Sequence, residues 1–207
     1  QTISFTHDVD GAALLKGSVV PADREDAVLT RSWEEEIPER FSWNGQTGRG
    51  EEAATGRYRY VLTATDRAGN QTTATTDAFL MDRNAPSVDV SVRPTPFYPG
   101  ADARASQLEI SVATDDRSDI AERQVTVYDP KGNVFARLNA DELTNGTMMW
   151  DGRNGDGDLP QSARDYTVAV TVTDAVGNQS TSETTIPVGI LVEEDQGGDL
   201  RFRITGI

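Results

Sequence analysis

The sequence contains no cysteine, and this absence excludes several kinds of chemistry at once. Disulfide bonds, thiolate zinc sites, iron–sulfur clusters and cysteine nucleophiles all need a residue that the chain does not have. Histidine is scarce as well, since His7 is the single copy. A Ser-His-Asp triad would therefore have to use this one residue, close to the start of the chain. The sequence indicates a fold stabilised by burial alone, and it predicts that the protein is not an enzyme.

Long apolar runs and excess positive charge are also lacking. No stretch approaches the roughly 18 consecutive apolar residues of a membrane-spanning helix, and residues 1–5 show neither an initiator Met nor a signal-peptide pattern. The chain has 34 Asp and Glu against 19 Lys and Arg, which gives a formal net charge of −15. Such a surface repels phosphate backbones and anionic headgroups. We therefore expect neither nucleic acid binding nor membrane insertion, and we interpret the chain as an excised or processed segment.

The chain does contain an internal repeat built around tryptophan. Residues 41–45 (FSWNG) recur as residues 148–152 (MMWDG). A polar, glycine-containing stretch follows each copy, and then a strand-like run, residues 58–66 in the first copy and 166–174 in the second. Both runs end in Asp-x-x-Gly-Asn-Gln. Because a repeated signature marks the folding unit, the sequence predicts two tandem domains.

The run that precedes each of these terminal aspartates alternates in the manner of a half-buried β-strand. Its inward positions in the second copy are Tyr166, Val168, Val170 and Val172. The matching positions in the first copy are Tyr58, Tyr60, Leu62 and Ala64. The aspartate can accept backbone N–H bonds, and the glycine three residues later can take a positive φ. Each Asp-x-x-Gly-Asn signature is therefore predicted to form a hairpin turn.

The fold class predicted from these patterns is all-β, with two tandem immunoglobulin-like or fibronectin III-like β-sandwiches plus a C-terminal β-hairpin. Residues 85–188 hold about seven strand-like runs, the number expected for one such sandwich. Residues 1–84 form the other, and because few residues precede its tryptophan, its opening strand is missing or rearranged. Residues 189–207 are predicted to form the hairpin, with its turn at 195–199, and to connect to a further domain.

The second signature resembles the FlgD-like Ig domain, which is named for the flagellar hook-capping protein. The resemblance covers residues 147–182, and the first copy matches more loosely because Leu159-Pro160 has no counterpart there. It rests on Met149-Trp150-Asp151-Gly152, Leu159-Pro160, Tyr166 and Asp174 to Asn178. The resemblance implies a non-catalytic scaffold or spacer of bacterial surface, secreted or appendage proteins. The tail, 189–207, also resembles the connector before an OmpA-like peptidoglycan-binding domain, which implies the periplasm.

The loop after Trp150 is rich in oxygen-bearing side chains, so calcium is one candidate ligand. The candidate ligating residues are Asp151, Asn154, Asp156 and Asp158. Counted from Asp151 as an EF-hand loop, positions three and five are Arg153 and Gly155, and position twelve is not Glu. The alternative is a Gly- and Asx-rich strand connection, which the first copy favours because its loop keeps the glycines and loses the aspartates. No other cofactor or metal is predicted.

Tryptophans can also serve as sugar-stacking platforms. Trp43 and Trp150 recur at the same place in each copy, which favours core packing. Trp33 has no repeat partner and is the candidate for contact with a ligand. Paired carboxylates such as Asp115 and Asp116 lie in acidic runs, which are typical of solvated surface rather than of the paired groups of a glycosidase.

The sequence thus predicts a non-enzymatic structural spacer or scaffold segment of a bacterial cell-envelope or surface protein that mediates assembly or protein–protein contacts. Its expected partners are other protein domains or envelope components, and its expected location is the cell envelope, either periplasmic, surface-exposed or secreted. The alternative is a polysaccharide- or ligand-binding module that uses Trp33 or the loops 44–57 and 151–165. A hydrolase is the third hypothesis.

Overall fold

The computed structural model describes residues 1–34, 36–100, 106–194 and 200–203. The chain divides into two compact units, Gln1–Asn84 (unit 1) and Ala85–Ile207 (unit 2). Within the described ranges the elements are β-strands and one 3₁₀ turn, Ala140–Glu142. No helix in these ranges is long and apolar enough to cross a bilayer. The predicted all-β, Ig-like class is confirmed, while the predicted turn at 195–199 lies outside the described residues.

Unit 1 has two antiparallel sheets. The larger sheet has the strand order β3-β2-β5-β6, and β7 also pairs with β5. The smaller sheet consists of β1 and β4. The strands are β1 Ile3–Thr6, β2 Leu14–Pro21, β3 Leu29–Glu34, β4 Arg40–Trp43, β5 Gly56–Thr65, β6 Gln71–Thr75 and β7 Phe79–Met81.

Unit 2 repeats this plan with a third strand in its smaller sheet. One sheet has the order β11-β10-β13-β14 and the other the order β12-β9-β8, and β15 pairs with β16 as a hairpin. The first four strands are β8 Ser87–Arg93, β9 Leu108–Asp115, β10 Ile120–Tyr128 and β11 Val134–Leu138. The others are β12 Thr147–Trp150, β13 Arg164–Asp174, β14 Gln179–Val188, β15 Leu191–Glu194 and β16 Leu200–Arg203.

Alternating residues of the two facing sheets fill the core of unit 2, because the side chains of a strand point to opposite faces in turn. The inward residues of β13 are buried, and Val168, Val170 and Val172 are completely shielded from solvent. Leu108 and Ile110 of β9 cover them from the other sheet. Burying apolar area of this kind contributes about 25 cal/mol per Å², which stabilises the sandwich without disulfides.

The core of unit 1 is built from aromatic rings. Phe5 of β1 stacks on Tyr60 of β5 with ring centroids 4.1 Å apart, and Tyr58 meets Trp43 edge to face at 5.1 Å. The edge-to-face arrangement is among the favourable geometries for aromatic pairs. At one aligned inward position a ring replaces a valine, since Tyr60 stands where unit 2 has Val168.

The register of the strands shows which elements of the two units correspond. Trp43 of β4 pairs with Ile3 of β1, just as Trp150 of β12 pairs with Leu108 of β9. By this register β1 corresponds to β9, and β5 corresponds to β13. Unit 2 has a further strand, β8, on the free side of β9. Among the described residues of unit 1 no strand occupies the equivalent place beside β1.

The chain enters and leaves the sandwich of unit 2 at opposite ends. Ser87, the first residue of β8, pairs with Asp115, close to the end of β13 that Asp174 marks. Val188, the last residue of β14, pairs with Arg164 at the other end of β13. We refer to these as the Asp174 end and the Arg164 end.

Candidate functional site

The two repeated tryptophans anchor the loops that follow them. Trp43 is 1% exposed and its indole N–H donates to the carbonyl of Gln46 at 2.7 Å. Trp150 is 5% exposed and donates in the same way to Arg153 at 2.9 Å. Each ring thus fills the core while its polar atom is satisfied by its own loop. Trp-Asx-Gly is a packing signature in both units and presents no free aromatic platform.

The aspartates of the second signature organise hairpin turns. Oδ1 of Asp174 accepts the backbone N–H groups of Val176 at 2.9 Å and of Asn178 at 2.8 Å. Its Oδ2 accepts the side-chain N–H of Asn178 at 2.8 Å. Asp66 in unit 1 makes the matching three bonds to residues 68 and 70, at 2.8, 2.9 and 2.8 Å. The carboxylate therefore supplies the acceptors that the tight turn needs.

A third copy of this turn joins β10 to β11, outside the repeated signatures. Asp129 accepts the backbone N–H groups of Lys131 and Asn133, both at 2.8 Å, and the side-chain N–H of Asn133 at 3.0 Å. The Asp-x-x-Gly-Asn spacing at 129–133 was the pattern that could have revealed it.

Hydrogen bonding keeps these three carboxyl groups ionised. Bonds from Asn70 and Asn133 lower the pKa of Asp66 and of Asp129 below the ordinary value. Burial by itself would raise the pKa of Asp174, but the bonds from Asn178 outweigh it and the net pKa is lowered. A general acid near neutral pH needs a raised pKa. The direction of the shift in all three suits a turn acceptor and not a proton donor.

The candidate calcium loop has the same internal geometry with the two residues exchanged. Oδ1 of Asn154 accepts the backbone N–H groups of Asp156 at 3.0 Å and Asp158 at 2.7 Å. Oδ1 of Asp151 accepts the N–H of Arg153 at 2.9 Å. Oδ2 of Asp158 also accepts the side-chain N–H of Asn154 at 3.5 Å, so three of the four candidate calcium ligands have an oxygen engaged within the loop. Calcium binding here stays a prediction, and the geometry favours the strand-connection alternative.

The single histidine lies in the core of unit 1. His7 is 7% exposed, and its Nδ1 lies 2.8 Å from the carbonyl oxygen of Pro38 while its Nε2 lies 2.8 Å from the hydroxyl of Tyr60. Because a carbonyl only accepts, Nδ1 donates, and in the neutral ring the Tyr60 hydroxyl donates to Nε2. Burial raises the pKa of Tyr60 to about 12. Both ring nitrogens are thus engaged in hydrogen bonds within unit 1, and neither faces a serine nucleophile.

Trp33, the candidate ligand contact, lies beside this histidine. Its ring is half-buried, 5.3 Å from the ring of His7 and 5.5 Å from that of Phe41. The side chain points to the inner face of β3, where Leu15 pairs with it. The contact role of Trp33 stays a prediction.

A recess of ≈850 Å³ opens at the Arg164 end of unit 2. Its apolar floor includes Phe135 and Tyr166, whose ring centroids lie 5.1 Å apart. Three cationic side chains line the recess, from Lys131, Arg153 and Arg164, together with two carboxylates, from Asp129 and Asp158. Arg153 is partly engaged, because it donates to the carbonyl of Gly157 at 2.6 Å. The lining therefore carries one more positive than negative side chain.

Solved structures of similar fold include fibronectin(III)-like modules and adhesins. The fibronectin(III)-like modules of CbhA from Clostridium thermocellum align at 16% identity and TM-score 0.40, over 91% of this chain and 86% of that one. A tetra-tandem repeat in the extending region of a large adhesion protein aligns at 17% identity and TM-score 0.35, over 100% and 58%. A 1.5-MDa bacterial ice-binding adhesin aligns at 16% and 0.44, over 94% and 62%. The chain thus spans about three-fifths of the two adhesin structures.

The family is shown by the sequence itself. No curated protein sequence matches the chain. The profile of the bacterial Ig-like domain matches residues 43–83 and 99–187, which together make up more than half of the 207 residues. These two segments contain the paired Trp-Asx-Gly and Asp-x-x-Gly-Asn signatures, one pair in each unit. The chain therefore belongs to the family of bacterial Ig-like domains.

Proposed function

We propose that the chain is a non-catalytic spacer and scaffold segment of a bacterial cell-envelope or surface protein. The observation that carries this proposal is the path of the chain through unit 2, which enters at the Asp174 end and leaves at the Arg164 end. A module with its two connections at opposite ends separates whatever is attached to them. A module with adjacent connections would instead project to one side.

The use of the reactive side chains in packing and turns also supports this proposal. His7 is bonded to Pro38 and Tyr60, and the aspartates of the repeated signature hold hairpins. The two repeated tryptophans are buried. These residue types are the ones that a hydrolase or a sugar platform would need, and the fold uses them for stability.

In its finer form the proposal treats unit 2 as a FlgD-like Ig domain and residues 189–207 as a connector towards an OmpA-like envelope domain. The support is the Trp-Asp-Gly signature, Leu159-Pro160 and the pairing of β15 with β16. The proposed partners are other protein domains or envelope components, and the proposed location is periplasmic, surface-exposed or secreted.

A distance measurement tests the spacer geometry. Since the chain has no cysteine, Ser87→Cys with Ile190→Cys places two spin labels cleanly. The eleven residues of β13 at about 3.3 Å each predict a separation of roughly 35 Å between the ends. Ser87→Cys with Ala175→Cys is the matched control, with both labels near the Asp174 end. Equal distances in the two pairs would contradict the proposed path.

Activity assays separate the spacer from a hydrolase. We expect no turnover in panels of glycosides and esters, because the histidine and the signature carboxylates are engaged as described. Turnover that disappears in His7→Gln while the far-ultraviolet circular dichroism is retained would overturn the non-catalytic proposal.

The alternative function is a ligand-binding module, and the recess of unit 2 is the observation that favours it. Its three cations and two aromatic rings suit a polysaccharide that carries carboxylates, since Arg pairs with carboxylates in bidentate fashion, and of its two carboxylates Asp129 is already engaged in its own turn. Binding of a uronate oligosaccharide that is lost in Arg164→Ala and kept in Arg123→Ala would promote this function. Binding lost instead in Trp33→Ala would move the site to unit 1. If the folded chain binds no glycan on an array, the ligand-binding function is contradicted.

A further inference from the structure

The outer face of the larger sheet of unit 1, which points away from the core, has an excess of positive charge. Arg57 and Arg59 point outward from β5, since they alternate with the buried tyrosines of that strand. Lys16 of β2 lies on the same side of the sheet. Glu34 of β3 is the one carboxylate that the described strands place there. We call this surface the basic face, and its strands carry two more positive than negative side chains.

The corresponding face of unit 2 has the opposite charge. Asp165 of β13 stands where unit 1 has Arg57. Glu183 of β14 and Glu122 of β10 lie on the same outward side, opposite residues of β13 that alternate with its buried valines. Arg137 of β11 is the one cation that the described strands place there. We call this surface the acidic face, and its strands carry two more negative than positive side chains.

The charges of the two faces are not neutralised by neighbouring side chains. Among the described residues, no ion pair involves the three cations of the basic face or the three carboxylates of the acidic face. The Nε–H of Arg59 is buried and has no hydrogen-bond acceptor in the part of the chain that the structure describes. Five of these six charged residues are exposed, namely Lys16, Arg57, Glu122, Asp165 and Glu183. Surfaces of opposite charge attract and select each other as partners.

Short hydroxyl side chains lie between the charges on both faces. The hydroxyl oxygens of Thr63 and Thr73 are 3.1 Å apart on the basic face. Those of Thr171 and Thr181, at the aligned positions of the acidic face, are 2.8 Å apart. Side chains this short let two sheet faces approach closely, so the longer charged side chains meet first.

A recess of ≈440 Å³ on the acidic face suits a cationic side chain. Asp165 and Glu183 line it together with Tyr128. Asp129 lines it too, although its carboxylate is already engaged in its own turn. A guanidinium group is attracted to the face of a tyrosine ring and forms charge-assisted hydrogen bonds with carboxylates. The recess therefore matches the chemistry of the arginines on the basic face.

We propose that the basic face of unit 1 binds the acidic face of unit 2 of a second copy of this chain. The contact is heterologous, because it joins two different surfaces. It is held by exposed charges, so it is weak and is screened by salt. The proposal stands apart from the spacer function, because it concerns the faces of the sheets and not the ends where the chain enters and leaves. The spin-label distances and self-association can therefore fail independently of each other.

Sedimentation equilibrium of the full 207-residue chain tests the contact. We expect the weight-average mass to rise with protein concentration at about 20 mM salt, and to return to that of a single chain at about 0.5 M salt. The mass of a single chain at both salt concentrations would overturn the proposal.

Two variants reverse the faces one at a time. Lys16→Glu with Arg57→Glu reverses the basic face, and Glu122→Lys with Glu183→Lys reverses the acidic face. All four positions are exposed, so both variants are expected to fold. Each variant then has two faces of like charge, and we expect its self-association constant to fall at least about tenfold. A mixture of the two variants again offers opposite charges, so we expect the mixture to associate although neither variant does so alone.

An effect of net charge alone would give a different result. Glu122→Lys with Glu183→Lys lowers the net negative charge of the chain, which by itself favours self-association. Asp89→Lys with Asp115→Lys is the matched control, since both residues are exposed on the outward side of the smaller sheet of unit 2. We expect the control to associate at least as strongly as the unsubstituted chain. Equal loss in the control, stronger association of the acidic-face variant, or a mixture that stays monomeric would each overturn the proposal.

Discussion

The substitution Gly152→Ala tests how tightly the Trp-Asx-Gly signature is packed. Gly152 has φ 89°, a value that L side chains rarely adopt. A Cβ atom added there would lie 2.8 Å from Cβ of Pro99 and 3.0 Å from the ring of Phe97. Phe97 is 0% exposed and packs on Trp150 with ring centroids 5.9 Å apart. The new methyl group would therefore crowd a ring that is completely buried, so that neighbouring core residues would have to shift.

Two unfavourable contributions to the folding free energy add in Gly152→Ala. The left-handed backbone costs roughly 1–2 kcal/mol for a residue with a Cβ atom, and overpacking of a filled core costs about 1–3 kcal/mol. We therefore expect Gly152→Ala to lower the free energy of unfolding of unit 2 by roughly 2–5 kcal/mol. Gly157 is the matched control in the same loop, because its φ is 87° and a Cβ atom there would meet nothing within 4 Å. Gly157→Ala should show the backbone cost alone.

Urea denaturation followed by amide exchange of the β13 residues measures the effect on unit 2 separately from unit 1. The midpoint is expected to fall further in Gly152→Ala than in Gly157→Ala, with an unchanged slope against urea. Amide exchange in unit 1 is the internal reference and should stay as in the unsubstituted chain. If both alanine variants lose the same stability, the ring of Phe97 yields to the methyl group and the packing argument is refuted.

Three further predictions concern ionisation and metal. The folded-state pKa of Asp174 is lowered. The stability that its carboxylate contributes is therefore present above the ordinary pKa and is lost as the pH falls through the folded value. We expect Asp174→Asn to reduce the fall in the free energy of unfolding at acid pH. The pKa of Tyr60 is raised from 10.0 to about 12, so its stabilisation is lost as the pH rises across that window, and Tyr60→Phe should remove this loss in alkaline urea denaturation. Calcium should leave the melting temperature of unit 2 unchanged, because Asn154 is already bonded to Asp156 and Asp158. A calcium-dependent rise in the melting temperature that Asp158→Asn abolishes would instead support calcium binding by this loop.

Much of the fold could be predicted because the sequence repeats its burial pattern. The alternation before Asp174 matches the inward face of β13, and the recurrence of Trp43 and Trp150 predicted their place in the core. These patterns are local, since the alternation of a strand needs no knowledge of its partner. The hairpin turns were equally predictable, because an aspartate and a glycine at fixed spacing satisfy the turn by themselves.

The sequence could not place side chains whose surroundings come from distant strands. His7 is buried through a hydroxyl 53 residues away and a carbonyl 31 residues away. The recess of unit 2 brings together Lys131 and Arg164 from two separate strand ends. Leu62 and Ala64 alternate as inward residues do but are only half-buried, because exposure depends on tertiary cover and not on sequence pattern.

The path of the chain through unit 2 also determines how the module responds to force. A pull on its two connections draws β8 towards the Asp174 end and β14 towards the Arg164 end. The load then acts along the strands, across the seven residue pairs of β8 with β9 and the ten pairs of β13 with β14. Inter-strand hydrogen bonds of antiparallel ladders are perpendicular to this direction, so they are strained together in shear instead of opening one by one. A tether built from such modules transmits tension without lengthening until a whole ladder fails.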